Sequence, residues 1–272
     1  MEEIIVSTSN PRIKNVIKLK EKSSERKAQD LIVVEGAREI LRAKESCYEI
    51  KTLFVCDIVN QKRHKEIFLD VNHLVRVSKE VFEKIAYREN SDGLLALVKP
   101  KHLRLSDLKL SATPLLVILE SVEKPGNLGA IARTADGAGV DAMIVCDAKT
   151  DIYNPNTVRS SIGCIFSKQI VAATSEEVQK FLKEKNIIPY AAALTGKKSY
   201  NEADFTKSCA LVFGTEAAGL SQTWLSSVEQ IKIPMLGNVD SLNVSASCAV
   251  MVYEAVRQRK ESCSGNMEQV CF

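Results

Sequence analysis

The order of apolar and polar positions divides the chain into alternating strands and helices. DLIVVEG (30–36) reads as a buried strand, GAREILRAKES (36–46) as a helix and KTLFVC (51–56) as a second strand. QKRHKEIFLD (61–70) then reads as a helix, HLVRVS (73–78) as a strand, SKEVFEKIAY (78–87) as a helix and GLLALV (93–98) as a strand. Such alternation predicts parallel pairing with helices on the sheet faces. Residues 99–113 carry Pro100, several charges and little apolar periodicity, so they mark a domain boundary.

A second α/β unit begins with PLLVILE (114–120), whose nearly continuous apolar run predicts burial on both faces of a parallel sheet. NLGAIARTADGAG (127–139) predicts a helix of small residues with Asn127 as a candidate cap, and VDAMIVC (140–146) a strand. A loop through Asn154–Pro155 leads to a short helix ending near Gly163, then to a strand at SKQIVAA (167–173). TSEEVQKFLKEK (174–185) is an amphipathic helix capped by Thr174 or Ser175. Strands follow at NIIPYAAAL (186–194), CALVFG (209–214) and EQIKIP (229–234). NVSASCAVMVYEAVRQR (243–259) closes the unit as a helix with Val244, Cys248, Val252, Ala255 and Val256 along one side, a stripe that suits core packing or a dimer surface equally. The last stretch, KESCSGNMEQVCF, is polar and reads as a loose tail.

Composition narrows the class. With 272 residues, 45% hydrophobic and 26% charged, the chain is expected to fold into one large or two ordinary globular domains. No apolar run approaches the roughly 18–20 residues of a membrane span. The start, MEEIIVSTSNPRIKN, lacks the basic and apolar pattern of a secretion signal, so a cytoplasmic protein without membrane partners is expected. Cys56, Cys146, Cys209 and Cys248 lie in apolar runs as small buried hydrophobes. There is no CxxC, and His64, His73 and His102 have no ligand spacing to a cysteine pair, so no metal site is expected.

Charge changes the picture only when divided along the chain. Residues 1–110 carry a net +5 and residues 111–272 a net −2. Arg12, Lys14, Lys18, Lys20, Lys22, Arg26 and Lys27 fall within residues 10–28, against Glu21 and Glu25. Ser9 or Asn10 can cap a helix with Pro11 in its first turn, and Ile13, Val16, Ile17 and Lys20 follow at helical spacing. The cationic face is either an ordinary solvated surface or a phosphate-tracking surface for nucleic acid.

Candidate chemistry collects where strands of the second unit end, the place at which open parallel sheets bind ligands. ESVEKPGNLGAIAR (120–133) has glycines for a tight turn and Arg133 one to two turns inside the helix, although close helix–strand packing explains the glycines as well. It is not a GxGxxG fingerprint. FGTEAAGLS (213–221) places Glu216 just beyond a buried strand, where a carboxylate needs a defined partner. IPMLGNVDSLNVSAS (233–247) gathers Ser241, Asn243 and Ser245 at the start of the last helix. Each segment alone is ordinary turn and cap chemistry.

Together the three resemble the signature motifs of the SpoU/TrmH family of RNA ribose 2′-O-methyltransferases, in the SPOUT superfamily: NLGAIARTA (127–135), FGTEAAGLS (213–221), and IPM (233–235) followed by SLNVS (241–245). The NP…RSSIG stretch (154–163) resembles a further family element, and residues 1–99, including Asn10-Pro11 and Val34-Glu35-Gly36, resemble the ribosomal-protein-like substrate-binding domain often fused to such enzymes. Lys124 departs from the acidic or polar residue that relatives often carry before Pro125.

The resemblance implies an α/β architecture whose C-terminal parallel sheet holds a trefoil knot, beside a smaller N-terminal α/β domain. It divides the chain into an RNA substrate-binding domain (1–103), a linker (104–113), a methyltransferase domain (114–260) and a flexible tail (261–272). It implies S-adenosylmethionine as cofactor, surrounded by Leu194, Gly214, Glu216, Ile233 and Leu242. Asn127, Arg133, Glu216, Ser241 and Asn243 occupy the catalytic positions, and Arg12, Lys14, Lys18, Arg133 and Arg159 are the candidates for RNA contact. Ribosomal RNA is the expected substrate and a homodimer the expected assembly. The alternatives are a tRNA 2′-O-methyltransferase and a silent RNA-binding homologue.

The reaction itself sets a physical demand. A ribose hydroxyl is a weak nucleophile, so alignment and assisted proton loss should dominate. A guanidinium stays protonated in proteins, so Arg133 is expected to clamp the adjacent phosphate while water or a phosphate oxygen takes the proton, with Ser241 and Asn243 fixing the loop and hydroxyl.

Overall fold

The computed structural model describes residues 4–60, 65–68, 71, 73–88 and 91–264. It divides into two compact units, one formed by residues 1–102 and 151–167 and the other by 103–150 and 168–272.

The first unit contains β1 (Ile4–Ile5), α1 (Pro11–Glu21), α2 (Ser23–Gln29), β2 (Ile32–Glu35), α3 (Ala37–Glu45), β3 (Ile50–Val55), α4 (Lys65–Phe68), β4 (Leu74–Val77), α5 (Lys79–Ile85) and β5 (Leu94–Val98). Its sheet runs β1-β4-β3-β5-β2. The expected all-parallel pairing is corrected here, because β5 runs antiparallel to both β2 and β3. All five residues of β5 are buried, so its apolar run is compatible with either sense. Asn10 caps α1 by accepting from the Arg12 amide, and Ile13, Val16 and Leu19 carry the buried face. Lys20 lies at the edge of that face, with Nζ donating to the carbonyls of Lys84 and Ala86. Arg12, Lys14 and Lys18 are exposed, whereas Arg26 is buried, donating to Asp151 and to the Leu19 carbonyl, and so leaves the cationic face.

The segment 151–167, expected within the second domain, packs with the first unit. It holds α7 (Pro155–Ser160) and α8 (Cys164–Ser167). Asp151 pairs with Arg26 at 2.6 Å, Tyr153 and Tyr48 share a hydroxyl contact at 3.2 Å, and Phe166 meets Tyr48 edge to face. These partners are far away in sequence, so local periodicity carries no trace of them.

The second unit contains β6 (Leu115–Glu120), α6 (Pro125–Gly137), β7 (Ala142–Cys146), β8 (Gln169–Ala173), α9 (Ser175–Glu184), β9 (Ile188–Ala192), β10 (Lys198–Ser199), β11 (Cys209–Phe213), α10 (Gln222–Leu225), β12 (Glu229–Lys232) and α11 (Val244–Ser264). Its seven strands run β10-β12-β9-β11-β6-β7-β8, and every adjacent pair is parallel. β6, β7 and β11 are buried along their whole length, as continuous apolar runs require at the centre of such a sheet.

Residues read as a linker also fold onto this unit. Leu103 bridges Val171, Leu105–Asp107 forms a 3-10 turn, and Leu105, Leu108 and Leu110 pack on the core. Thr174 caps α9 in a capping box with Glu177. On α11, Cys248, Val252 and Ala255 are fully buried, so this stripe packs into the core, and Val250 and Tyr253 face outward. The helix continues to Ser264, which places residues 261–264 in it; the remainder of the expected tail lies outside the described residues. Cys56, Cys146, Cys209 and Cys248 are buried as expected.

Candidate active site

Because the sheet of the second unit is parallel, the ends of β9, β11 and β12 deliver their loops to one edge. A cavity of about 350 Å³ opens there, lined by residues 192–195, 213–220 and 231–233 together with Ser241, Leu242 and Met251. Leu194, Gly214, Glu216, Ile233 and Leu242, the residues expected around a cofactor, all line it. A second hollow of about 220 Å³, formed by Val122 to Lys124 and Asn127, shares Gly214 to Ala217 and Val244 with the first. Glu216 therefore borders both.

Backbone crowding dictates the loop's sequence. A Cβ on Gly214 would lie 2.2 Å from the carbonyl carbon of Gly219, so only glycine lets the loop after β11 fold back on itself. The turn closes through reciprocal hydrogen bonds between Thr215 and Gly219 at 3.0 Å. Glu120, at the end of β6 and 5% exposed, accepts from the Ser221 amide at 2.7 Å and from its hydroxyl at 2.6 Å. That buried carboxylate pins the far side of the loop. In the sequence Glu120 only opens the ESVEKPGN motif; its place at the end of an apolar strand is the signal for this role.

Side chains from two distant segments meet on Glu216. Asn127 donates its amide to Oε1 at 2.8 Å, Asn243 donates to the same oxygen at 2.5 Å, and Lys124 pairs with Oε2. Asn243 also approaches the Asn127 amide oxygen at 3.3 Å. Its own Oδ1 accepts from the Ser245 amide and hydroxyl, which ties it to the start of α11. Hydrogen bonds from Lys124 and then Asn127 hold the Glu216 carboxyl below its ordinary pKa. A carboxylate so held is an organising anion and a poor proton acceptor.

Several expectations take a different form. The residue capping α6 is Lys124, not Asn127; Pro125 opens the helix and Asn127 lies in its first turn, where its side chain is free to reach Glu216. Ser241 borders the larger cavity, and its hydroxyl bonds Asp240 at 3.3 Å. Arg133 is exposed on α6 and joins neither hollow. Six residues after Asn127, it points roughly 120° away around the helix. Arg159 is exposed in the first unit, over the ring of Tyr87. No group of three or more metal-ligating side chains occurs among the described residues, and no helix among them is long and apolar enough to cross a membrane.

Comparison with known proteins identifies the family. Residues 114–253 match the model of the SpoU rRNA Methylase family, and residues 10–96 that of the MRM3-like substrate binding domain. The chain is 28% identical to the 23S rRNA (guanosine(2553)-2′-O)-methyltransferase RlmP of Bacillus subtilis over 92% of its own length and 97% of that protein. It is 35% identical to the 23S rRNA (guanosine-2′-O-)-methyltransferase RlmB of Vibrio vulnificus over 70% of its length and 79% of that protein. The SpoU methyltransferase AviRb of Streptomyces viridochromogenes, solved in complex with AdoMet, superposes with a TM-score of 0.86 at 27% identity, covering 92% of this chain and 98% of that one.

Proposed function

The chain belongs to the SpoU rRNA methylase family, and from that premise we propose that Asn127, Glu216 and Asn243 form the catalytic centre of a 23S-type ribosomal RNA 2′-O-methyltransferase. The reaction is S-adenosylmethionine-dependent transfer of a methyl group to a ribose 2′-hydroxyl. The observation that carries the site assignment is the convergence of two distant segments on the carboxylate of a third, beside an apolar-edged cavity.

The residues present fit the cofactor. Leu194 and Leu242, 63% and 38% exposed, leave apolar surface at the cavity edge for an aromatic base to cover. With Ile233 and the backbone around Gly214, they would hold it. When bound, the cofactor supplies a methyl group already activated by its sulfonium charge.

What remains for the protein is position and proton removal. Glu216 fixes both asparagine amides; Asn243, fully engaged with Glu216, Asn127 and Ser245, holds the cluster's shape, and Asn127 keeps polar capacity for an incoming ribose. Ser241 stands at the same edge to orient the hydroxyl. Arg133 clamps the phosphate next to the reacting sugar and favours the alkoxide, while water or a phosphate oxygen takes the proton. Its exposure, and its direction away from Asn127 in its own chain, fit a homodimer in which each Arg133 serves the partner's site.

The same reading includes a trefoil knot. Strand order supports it: after β11 enters between β6 and β9, the chain returns across β9 to add β12 on the far side. Close backbone crossing supports it too, since a Cβ on Gly196 would lie 2.7 Å from the Ile231 carbonyl carbon. We assign residues 1–103 to RNA substrate binding, with Arg12, Lys14 and Lys18 exposed on α1, and the second unit to methyl transfer in the cytoplasm.

Calorimetric titration with S-adenosylmethionine, ATP and NAD tests the cofactor. Mapping 2′-O-methyl sites in rRNA and tRNA from cells with and without the protein tests the substrate. Loss of one rRNA site is the expected result; loss of a tRNA site, or unchanged maps, overturns the rRNA assignment.

A further inference from the structure

In the Val34-Glu35-Gly36 element of the first unit, the structure gives Glu35 a defined task. The carboxylate is 8% exposed, and it accepts from the backbone amides of Tyr87 at 2.5 Å and Arg88 at 3.3 Å. Lys20 reaches the same loop from α1, with Nζ at 3.2 Å from the Ala86 carbonyl. Glu39, 1% exposed, receives Arg88 and Arg38, each at 2.8 Å. Burial works to raise the Glu39 pKa, but the hydrogen bonds from Arg38 and Arg88 outweigh it and the net shift is downward.

Two buried carboxylates thus hold Tyr87 and Arg88, just after α5. Burying a carboxylate costs free energy unless its partners are well placed, and an exposed loop with no task does not require such an anchor. The loop holds out Tyr87, whose side chain is exposed, with the Arg159 guanidinium 5.5 Å from the ring centroid. Pro155 and Val158 of α7 and Val33 of β2 line the hollow beside it. The acids face inward onto amides and arginines. The outward groups are the Tyr87 ring and the Arg159 guanidinium, both from the first unit, with Arg88 and Lys20 half-buried behind them.

We propose that Tyr87, with Arg159 beside it, is a stacking site for an unpaired RNA base, with Arg159 taking its flanking phosphate and the half-buried Arg88 and Lys20 adding positive charge behind it. An exposed aromatic ring beside planar guanidinium groups is the arrangement by which proteins hold splayed single-stranded bases, and it is tolerant of base identity. This inference rests on the RNA-substrate reading above and adds that the first unit engages a looped-out nucleotide, in addition to duplex shape.

The test uses the full chain and fluorescence anisotropy with a labelled single-stranded RNA of about 15 nucleotides and its duplex form. Tyr87→Ala and Tyr87→Leu should each weaken single-strand binding roughly 5- to 150-fold, with Tyr87→Phe within about twofold of wild type. Duplex binding should change less than about twofold for all three. The salt dependence should be unaltered in Tyr87→Ala and shallower by about 0.7 in Arg159→Gln. Wild-type affinity in Tyr87→Leu, equal losses on duplex, or a Tyr87→Phe variant as weak as Tyr87→Ala overturns the proposal. Titration with S-adenosylmethionine on the same proteins separates the two readings: wild-type failure to bind it removes the enzyme assignment, whereas the stacking site is judged by the RNA data alone.

Discussion

Asn127 and Glu216, 89 residues apart in the chain, meet through a 2.8 Å amide–carboxylate hydrogen bond at the edge of the parallel sheet. Asn243 donates to the same oxygen, so one carboxylate fixes two amides from different elements. Replacing either asparagine with aspartate turns a donor into a like charge beside Glu216. Asn127→Asp or Asn243→Asp should lower kcat by roughly 100-fold, with S-adenosylmethionine affinity changed far less. Single-turnover kinetics with saturating RNA, paired with calorimetry, checks this; a large loss of cofactor affinity with normal kcat would show that the asparagines hold the cofactor instead.

Glu216 also sets a pH expectation. Its pKa is lowered in the folded protein by Lys124 and Asn127, so its contribution to the folded arrangement is complete above the unfolded carboxyl value and fades only as pH falls through the folded value. From about pH 5 to pH 8 it stays ionised, and rate changes in that window belong to another group. A pH–rate profile of wild type and Glu216→Gln should have the same shape across that window, displaced vertically. A limb present in wild type and absent from the variant would make Glu216 the proton acceptor.

The loop after β11 depends on Glu120, which accepts two hydrogen bonds from Ser221. Glu120→Ala removes the two hydrogen bonds that hold Ser221 and should destabilise the protein by roughly 1–3 kcal/mol. It should also weaken S-adenosylmethionine binding, because the pinned loop forms the cavity wall. Urea unfolding and calorimetry report the two effects. Unchanged cofactor affinity would mean that the loop holds its shape through the Thr215–Gly219 hydrogen bonds alone.

Gly214 has no room for a side chain. Gly214→Ala should cost roughly 1–3 kcal/mol through displacement of the Gly219 backbone, and should abolish detectable cofactor binding. A variant that binds normally would show that the turn can relax without deforming the cavity.

Arg133 separates two chemistries. If it acts as a phosphate clamp, Arg133→Lys retains part of the rate because a cation remains; complete loss with normal RNA affinity would favour a role as base. Mixing Arg133→Ala with a Glu216→Gln variant tests the shared site. Recovery of activity in the mixture is expected if each arginine serves its partner.

Much of the second unit was legible because its signals are local. Buried strands are apolar runs, and Gly214 and Gly219 punctuate the loop that follows β11. The meeting of Asn127, Glu216 and Asn243 was inferred from motif resemblance, and spacing alone would have left three unrelated caps. The sense of β5 was not legible, since a strand buried on both faces reads identically in either direction. Arg26 looked like one more cation on a basic face; its partner Asp151 lies 125 residues away, outside any local pattern. The anchoring roles of Glu35 and Glu120 were hidden for the same reason: each acts on backbone or hydroxyl groups more than 50 residues distant.

The most direct measurement is alkaline hydrolysis of ribosomal RNA incubated with the purified protein and S-adenosylmethionine carrying a labelled methyl group. A ribose whose 2′-oxygen is methylated cannot attack its own 3′-phosphate, so the account predicts that the label is retained in an alkali-resistant dinucleotide. Label released in ordinary mononucleotides, with methyl on the base, would contradict it.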